Sequence, residues 1–269
     1  MPYLERMAEN APVYAALQNH QDRFWLEYGS GQYTKSINWL KILELFNIKT
    51  PLSLLMAAYH QFEAKDFVKM TQWLAVISIR YNVIGNKSPN EQEKIYNKVA
   101  QEIMQGAIDF SAIARHLRPV YPQDQDFMSA FTKKTMPSRR SNKKILFLLQ
   151  AIEQHLSPAH ETPSADLSLE HVLPFNPSDD WQESFGLRQY SEAIDRLGNM
   201  AILPQGRNPG QEPFVEKKRV LNESQYRINR HIAEYEKWNM DSLEGHQSWL
   251  AKQAQTVWRI AAFDQDRGT

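Results

Sequence analysis

Apolar side chains recur every three or four residues through the first half of the chain, as they do on the buried face of a helix. Pro51 is suited to a first helical turn, and Ser88 before Pro89 supplies an N-cap for another helix. The pattern predicts helices over residues 13–28, 37–45, 51–62, 67–84, from 88 onwards, 110–117, 127–134 and 143–156. We therefore expect a helical domain over residues 1–156.

The pattern changes after residues 157–166, a stretch rich in Ser, Pro and Ala that we interpret as a linker. Beyond it, two short apolar runs that end at proline predict strands, and a turn-rich loop follows the second. The predicted strands are 167–174 and 198–204, the loop is 206–213, and the helices are 188–196, 214–221, 228–238 and 240–258. The order strand, strand, helix, with further helices appended, predicts a second domain over residues 167–269 in a mainly α protein.

Composition narrows the function classes. Hydrophobic residues make up 42% of the 269 residues, which is enough for a folded core. The 31 basic and 31 acidic residues cancel, so affinity for nucleic acid must come from local patches. The absence of cysteine excludes disulfides, Cys-type zinc sites and a thiol nucleophile. Acidic residues precede any apolar run at the N-terminus, and no apolar stretch is long enough to span a bilayer, so we expect a cytoplasmic protein.

Residues with catalytic potential lie in the predicted strand–strand–helix region. His171 follows Glu170 on a short strand, where an imidazole can deprotonate water while a carboxylate binds a divalent metal. The amide of Asn208 and the carboxylate of Glu170 are oxygen ligands of the kind that Mg²⁺ and Mn²⁺ prefer. Asn199 follows a glycine beside the second strand and is able to hold the backbone or ring of His171 in one orientation. Each of these residues taken alone is more often structural than functional.

Five motifs occur in order: LEHVLPFNP, a tryptophan at Trp181, RLGNMAILP, RNPG and FVEKKRVL. Together they resemble the C-terminal nuclease domain of GmrSD-type restriction endonucleases, which belongs to the HNH or His-Me finger superfamily. The family pattern is a Glu-His-x-x-Pro strand, a Leu-Gly-Asn strand, a loop asparagine and a Phe-x-x-Lys-Lys helix. The resemblance implies a helical domain followed by a ββα-metal nuclease domain with appended C-terminal helices.

The resemblance also implies roles for individual residues. His171 is expected to be the general base that activates water, and Glu170 and Asn208 to bind a single Mg²⁺ or Mn²⁺ ion. Asn199 is expected to anchor the loop that holds His171. Many HNH enzymes have Asp in the place of Glu170, so binding of the metal through water stays open for this residue. Since the base must be neutral, activity is expected to fall below the imidazole reference pKa of about 6.5.

Basic residues are candidates for contact with DNA phosphates. Lys217 and Lys218 fall on the family's Lys-Lys positions, which implies phosphate contact or transition-state stabilisation. A second group places six cations within twelve residues and no acid among them, which is consistent either with a DNA-backbone patch or with a solvated surface. Its members are Lys133, Lys134, Arg139, Arg140, Lys143 and Lys144.

The preceding helices are similar to the helical region of GmrSD-type proteins, through KTPLSLLMAAYHQF and WLAVISIRYNVIGN. In full-length relatives a ParB-like nucleotide-binding domain lies further upstream. Its Asp-Gly-Gln-Gln-Arg signature does not occur here, and neither does a glycine-rich phosphate loop. We therefore expect this chain to correspond to the C-terminal half of such a protein, a split subunit or a truncated form, with any ParB-like part either missing or supplied in trans.

The leading hypothesis is a metal-dependent DNA endonuclease or nickase of a restriction or anti-phage system. Its expected substrate is double-stranded DNA, which in some relatives is modified phage DNA. One alternative is a non-catalytic DNA-binding or regulatory subunit that retains the nuclease fold. Another is an all-helical interaction protein in which residues 167–221 are structural. The intact set of Glu170, His171, Asn199 and Asn208 favours the enzyme, because a scaffold would be expected to have lost at least one of them.

Overall fold

The computed structural model describes residues 2–27, 31–158, 166–181, 184–207 and 209–263, without the side chains of 2–9 and 187. Within these residues the protein is mainly helical, with one two-stranded sheet. The α-helices are α1 (Pro2–Leu17), α2 (Phe24–Glu27), α3 (Ser36–Leu45), α4 (Leu52–Gln61), α5 (Ala64–Ser78), α6 (Pro89–Met104), α7 (Ile113–Leu117), α8 (Asp124–Phe131), α9 (Ser138–Leu156), α10 (Leu187–Ala193), α11 (Phe214–Asn222), α12 (Arg227–Ala233) and α13 (Met240–Val257). No helix in these ranges combines the length and apolar character needed to cross a bilayer.

The chain divides into two compact units. The first unit contains Met1–Gln123 together with Trp258–Thr269, and the second contains Asp124–Val257. This division differs from the boundary expected from composition, since α9 falls inside the second unit. Residues 159–165 of the expected linker lie outside the described part of the chain.

Hydrogen bonds explain why α9 belongs to the second unit. The buried carboxylate of Glu153 accepts from the backbone N–H groups of Arg227 and Ile228, at 2.8 and 3.0 Å, and thereby caps the start of α12. At the other end of α9, the N–H of Ser138 donates to Oδ1 of Asp195 at 3.2 Å. Such tertiary caps leave no trace in local periodicity, so composition gives no sign that α9 packs with the second unit.

The first unit follows the predicted helices except near its start. A single helix was expected over residues 13–28, but α1 ends at Leu17 and α2 begins at Phe24. Asn19 and Asp22 account for the break, because their side chains accept hydrogen bonds from N–H groups two residues ahead. Ser88 caps α6 as predicted, accepting from the N–H of Asn90.

The second unit contains the sheet. Strands β1 (Leu167–His171) and β2 (Met200–Pro204) pair antiparallel, with Leu169 opposite Ile202 and His171 opposite Met200. Helix α11 follows β2, which is consistent with a ββα motif. The side chain of Asn229, from α12, bonds to both the N–H and the carbonyl of Ile202 on β2. A buried core covers the motif and includes Val172, Leu173, Trp181, Leu203, Leu221, Ile232, Trp238 and Leu243.

Candidate active site

His171 is the last residue of β1 and lies beside a small open pocket. The pocket has a volume of about 220 Å³ and is lined by Leu169, Glu170, His171, Pro174, Phe175, Asn176, Gly210 and Gln211. The imidazole packs against the ring of Phe175, with 4.5 Å between the two ring centroids. Its Nε2 atom is buried and has no hydrogen-bond partner among the described residues. A buried polar atom without a partner is unusual in a folded protein, and a catalytic role is one of its explanations.

Burial lowers the pKa of His171 from 6.5 to about 4. Asp195 opposes this shift through its negative charge, and Lys217 adds to it through its positive charge. The imidazole is therefore neutral across the physiological range, which is the form that a general base requires. The expectation that His171 becomes protonated near pH 6.5 is corrected by this environment, because a half-buried ring disfavours the charged form.

Asn199 fixes the chain immediately after His171. Its Oδ1 accepts from the N–H of Leu173 at 2.8 Å and from the indole N–H of Trp238 at 3.2 Å. Its Nδ2 donates to the carbonyls of Leu173 and Ile194, and its own carbonyl accepts from the N–H of Val172. The side chain is fully buried. All the hydrogen-bonding groups of this amide are therefore used inside the protein, and two of its four bonds hold Leu173.

Gly198 is required beside Asn199 by a close helix approach. A Cβ at this position would lie 2.7 Å from Cβ of Gln247 and 2.8 Å from the carbonyl oxygen of Leu243, both on α13. Gln247 is fully buried, and its Oε1 accepts from the N–H of Gly198 and from Nε of Arg196. The Leu-Gly-Asn segment is thus anchored to α13 on one side and to the His171 loop on the other.

Glu170 forms a buried ion pair with the first lysine of the Lys-Lys helix. Nζ of Lys217 lies 2.9 Å from Oε1 of Glu170 and donates to the carbonyl of His171 at 2.6 Å. Lys217 is 1% exposed and Glu170 is 6% exposed. Burial raises the pKa of Glu170 and lowers the pKa of Lys217, and the attraction between the two charges opposes both shifts. The ammonium group is therefore engaged inside the unit, where sequence analysis expected a phosphate contact.

The remaining predicted site residues are placed as follows. Nζ of Lys218 donates to the carbonyl of Tyr235 at 2.8 Å, so this lysine supports the segment that follows α12. Asn208 lies outside the described residues, while Gly210, two positions further along the chain, lines the pocket. The described residues contain no group of three or more His, Asp or Glu side chains able to hold a metal ion.

The oxygen ligands at the pocket suit a hard cation that keeps several water ligands. They are too few to surround a cation with protein ligands alone. Glu170 is one of the residues that line the pocket, and one oxygen of its carboxylate is engaged by Lys217. Mg²⁺ typically keeps several water ligands and takes one or two carboxylate or amide oxygens from the protein. Glu170, with Asn208 added from the sequence pattern, meets that requirement.

The six cations of the predicted basic segment differ in their exposure to solvent. Lys134 is only 8% exposed, so it does not share the surface position expected for it. The reason is that its backbone carbonyl accepts from the N–H of Leu197 and from Nε2 of Gln247, which draws the chain inward. The other members are exposed or half-buried, and most begin α9: Lys133, Arg139, Arg140, Lys143 and Lys144.

Sequence reasoning missed three residues around the imidazole. Phe175 packs on the His171 ring, and the hydroxyl of Tyr190 donates to the backbone carbonyls of Pro174 and Phe175. Asp195 acts electrostatically on His171. Phe175 lies within the LEHVLPFNP motif, so its place four residues after the histidine was a usable signal. Tyr190 and Asp195 lie in a helical pattern that carried no such signal.

The comparison with protein families matches this part of the chain. The model of the GmrSD restriction endonucleases, C-terminal domain, covers residues 121–253, which is nearly the whole second unit. Residues 121–253 match the model of this family of restriction endonuclease domains, which confirms the resemblance drawn from the motifs. The family is one of nucleases of restriction systems, so DNA is the substrate class it implies. A comparison with curated proteins finds no significant match.

Proposed function

We propose that the second unit is an HNH-type, metal-dependent DNA endonuclease or nickase of a restriction or anti-phage system, with His171 as general base. The observation that carries the proposal is the buried, unpartnered Nε2 of His171, a residue that lines a pocket. The hydrogen bonds of Asn199 to residues 172–173 support it, since a general base must be held in one orientation.

In this proposal neutral His171 takes a proton from the water that attacks the scissile phosphodiester. The low pKa of the imidazole keeps it unprotonated, and the ring contact with Phe175 limits its rotation. Asn199 acts as a positioning residue through the backbone that follows His171. Neutral imidazole is a competent base for this step, and general-base catalysis typically contributes about 10²- to 10⁴-fold to the rate.

Glu170 and Asn208 would hold the divalent cation, Mg²⁺ or Mn²⁺. When bound, the cation supplies electrostatic stabilisation of charge on the phosphate and the leaving oxygen. Lys217 orients the carboxylate of Glu170 through their ion pair and also supports the backbone of His171. We therefore assign Lys217 a positioning role, with Lys218 as a support for the segment after α12, in place of direct phosphate contact.

Exposed cations at the start of α9 would bring double-stranded DNA, including modified phage DNA, to the pocket. Neutral net charge makes such a local patch the principal source of phosphate affinity. A ParB-like nucleotide-binding domain or subunit would control the activity, as the resemblance to GmrSD-type proteins implies.

A plasmid cleavage assay tests the proposal. Supercoiled DNA, unmodified or base-modified, is incubated with the full chain and Mg²⁺, Mn²⁺ or EDTA. Conversion to open circles or linear DNA with metal, abolished by EDTA and by Asn208→Ala, is the expected result. Asn222→Ala, an exposed asparagine on α11, is the matched control and should cleave like wild type. Binding of DNA without cleavage under every condition would instead support a non-catalytic DNA-binding or regulatory subunit.

A further inference from the structure

Arg139 is set apart from the other exposed cations of its segment by its contact with Phe175, a residue that lines the pocket. Its guanidinium carbon lies 4.8 Å from the centroid of the Phe175 ring. The same ring packs on the imidazole of His171, with 4.5 Å between centroids. Phe175 therefore contacts both the candidate base and Arg139 of α9, which lies more than thirty residues earlier in the chain.

Both sides of this contact are fixed by hydrogen bonds. Arg139 is the second residue of α9, and the first residue, Ser138, donates its N–H to Asp195. On the other side, the hydroxyl of Tyr190 donates to the carbonyl of Phe175 and holds the phenyl-bearing loop. The backbone is therefore held both at the start of α9 and at Phe175. The stacking contact between the two side chains then places the guanidinium beside the pocket.

The donors of Arg139 remain available. Its side chain is exposed and stacks on Phe175. Among the described residues its guanidinium has no hydrogen bond to a carboxylate or carbonyl oxygen. Arg196 is a useful contrast, because its guanidinium is consumed by Thr132, Gln247 and Glu244. Stacking uses the face of a guanidinium and leaves its edge N–H groups free, and that edge matches two oxygens of a phosphate.

We propose that Arg139 binds the phosphate on which His171 acts, and that Phe175 is the platform that holds its guanidinium there. This inference rests on the proposed nuclease function and makes it more specific. Arg139 would be a reaction-site residue, whereas Arg140 and Lys143 would contribute backbone contacts elsewhere along the DNA. An arginine so placed stabilises the charge that develops on the phosphate, which a general surface patch does not do.

The test compares Arg139→Ala, Arg139→Lys and Arg140→Ala in the full chain. Binding of a fluorescent duplex is measured by anisotropy in EDTA at several salt concentrations, and single-turnover cleavage is measured at saturating protein. Arg139→Ala is expected to reduce the saturated cleavage rate by about 100-fold. Arg139→Lys should keep the salt dependence of binding but not restore the rate, because an ammonium lacks the paired N–H donors along the edge of a guanidinium. Arg140→Ala should flatten the salt slope by about one and should reduce the saturated rate much less than Arg139→Ala does.

Phe175→Leu separates the platform from the charge. It keeps Arg139 but removes the ring, so the saturated rate should fall while the salt slope stays unchanged. A wild-type saturated rate in Arg139→Ala, or an equal fall in Arg140→Ala, would overturn the inference. If the wild-type chain cleaves no DNA, the proposed nuclease function fails. An unchanged salt slope in Arg139→Ala would then show separately that Arg139 contacts no phosphate.

Discussion

Lys217 places its ammonium nitrogen 2.9 Å from Oε1 of Glu170, and both side chains are almost completely withdrawn from solvent. This pair joins the helix of the ββα motif to the strand that ends in His171. The same nitrogen donates to the carbonyl of His171, so one lysine supports both members of the Glu-His dipeptide. A Lys-Lys helix that looked like a phosphate-binding feature therefore contributes its first lysine to the framework of the site.

The ion pair predicts a large cost for removing one partner. Lys217→Met leaves the carboxylate of Glu170 buried without its counter-charge, and breaking one side of such a pair typically costs about 3–5 kcal/mol. We expect a corresponding fall in the free energy of unfolding measured in urea. Lys218→Met, which loses one bond to a carbonyl, should lose only about 1 kcal/mol.

A double variant checks that the effect belongs to the pair. Glu170→Leu combined with Lys217→Met removes both charges, so its loss of stability should be smaller than the sum of the two single losses. Additive losses, or a Lys217→Met variant as stable as Lys218→Met, would contradict the assignment.

Asn199 predicts a combined loss of stability and activity. In Asn199→Ala the N–H groups of Leu173 and Trp238 lose their acceptor, and each unsatisfied buried group costs about 1–3 kcal/mol. The loop after His171 should then lose its fixed position, and the cleavage rate should fall even at temperatures where the variant is folded. Urea denaturation and single-turnover cleavage measure the two effects separately.

Asn229→Ala is the matched control for Asn199. Asn229 is also a fully buried asparagine that bonds to backbone, but it contacts Ile202 on β2 and not residues 172–173. A similar loss of stability with a much smaller loss of cleavage is expected. If both variants lose cleavage in proportion to stability, Asn199 has only a structural role.

The sequence predicted the elements of this site better than their surroundings. Local pattern located β2, the helix carrying Lys217 and the cap at Ser88, because alternation, periodicity and caps depend on neighbouring residues. The motif order also led to the family that matches residues 121–253. What local pattern lacked was the assignment of α9 to the second unit, which depends on the bonds of Glu153 to α12.

The burial of individual charged side chains was the hardest feature to predict from the sequence. Lys134 looks like any surface lysine in the sequence, yet Leu197 and Gln247 bind its backbone and bury it. Lys217 is likewise buried by a partner 47 residues away. Both outcomes follow from contacts between segments distant in the chain, which hydrophobic periodicity does not encode. The position of Asn208 stays a prediction, since this residue lies outside the described ranges.

Two histidines outside the site predict a dependence of stability on pH. Nδ1 of His231 lies 2.8 Å from Nδ1 of His246, and His246 is fully buried. Burial lowers the pKa of both, that of His246 far below 6.5, while the charge of Glu234 partly opposes the shift of His231. In the unfolded chain these histidines bind protons near pH 6.5, whereas in the folded protein they stay neutral at that pH. Stability is therefore complete above that pH and falls as the pH decreases below it.

Urea denaturation from about pH 7.5 to about pH 5 checks this prediction. His246→Gln should have a shallower fall of unfolding free energy than wild type, and His155→Gln, an exposed histidine on α9, should keep the wild-type slope. Part of the slope should survive in His246→Gln, because His171 also has a lowered pKa. A slope in His246→Gln equal to that of wild type would show that the pair does not titrate as described.

The central claim is that the imidazole of His171 performs the proton transfer in DNA cleavage. Its most direct test is the single-turnover cleavage rate of His171→Ala beside His155→Ala, on the same DNA and with the same metal, after both variants are shown to be folded. We predict a fall of about 10²- to 10⁴-fold for His171→Ala and a wild-type rate for His155→Ala. A folded His171→Ala variant that cleaves DNA at the wild-type rate would contradict the account.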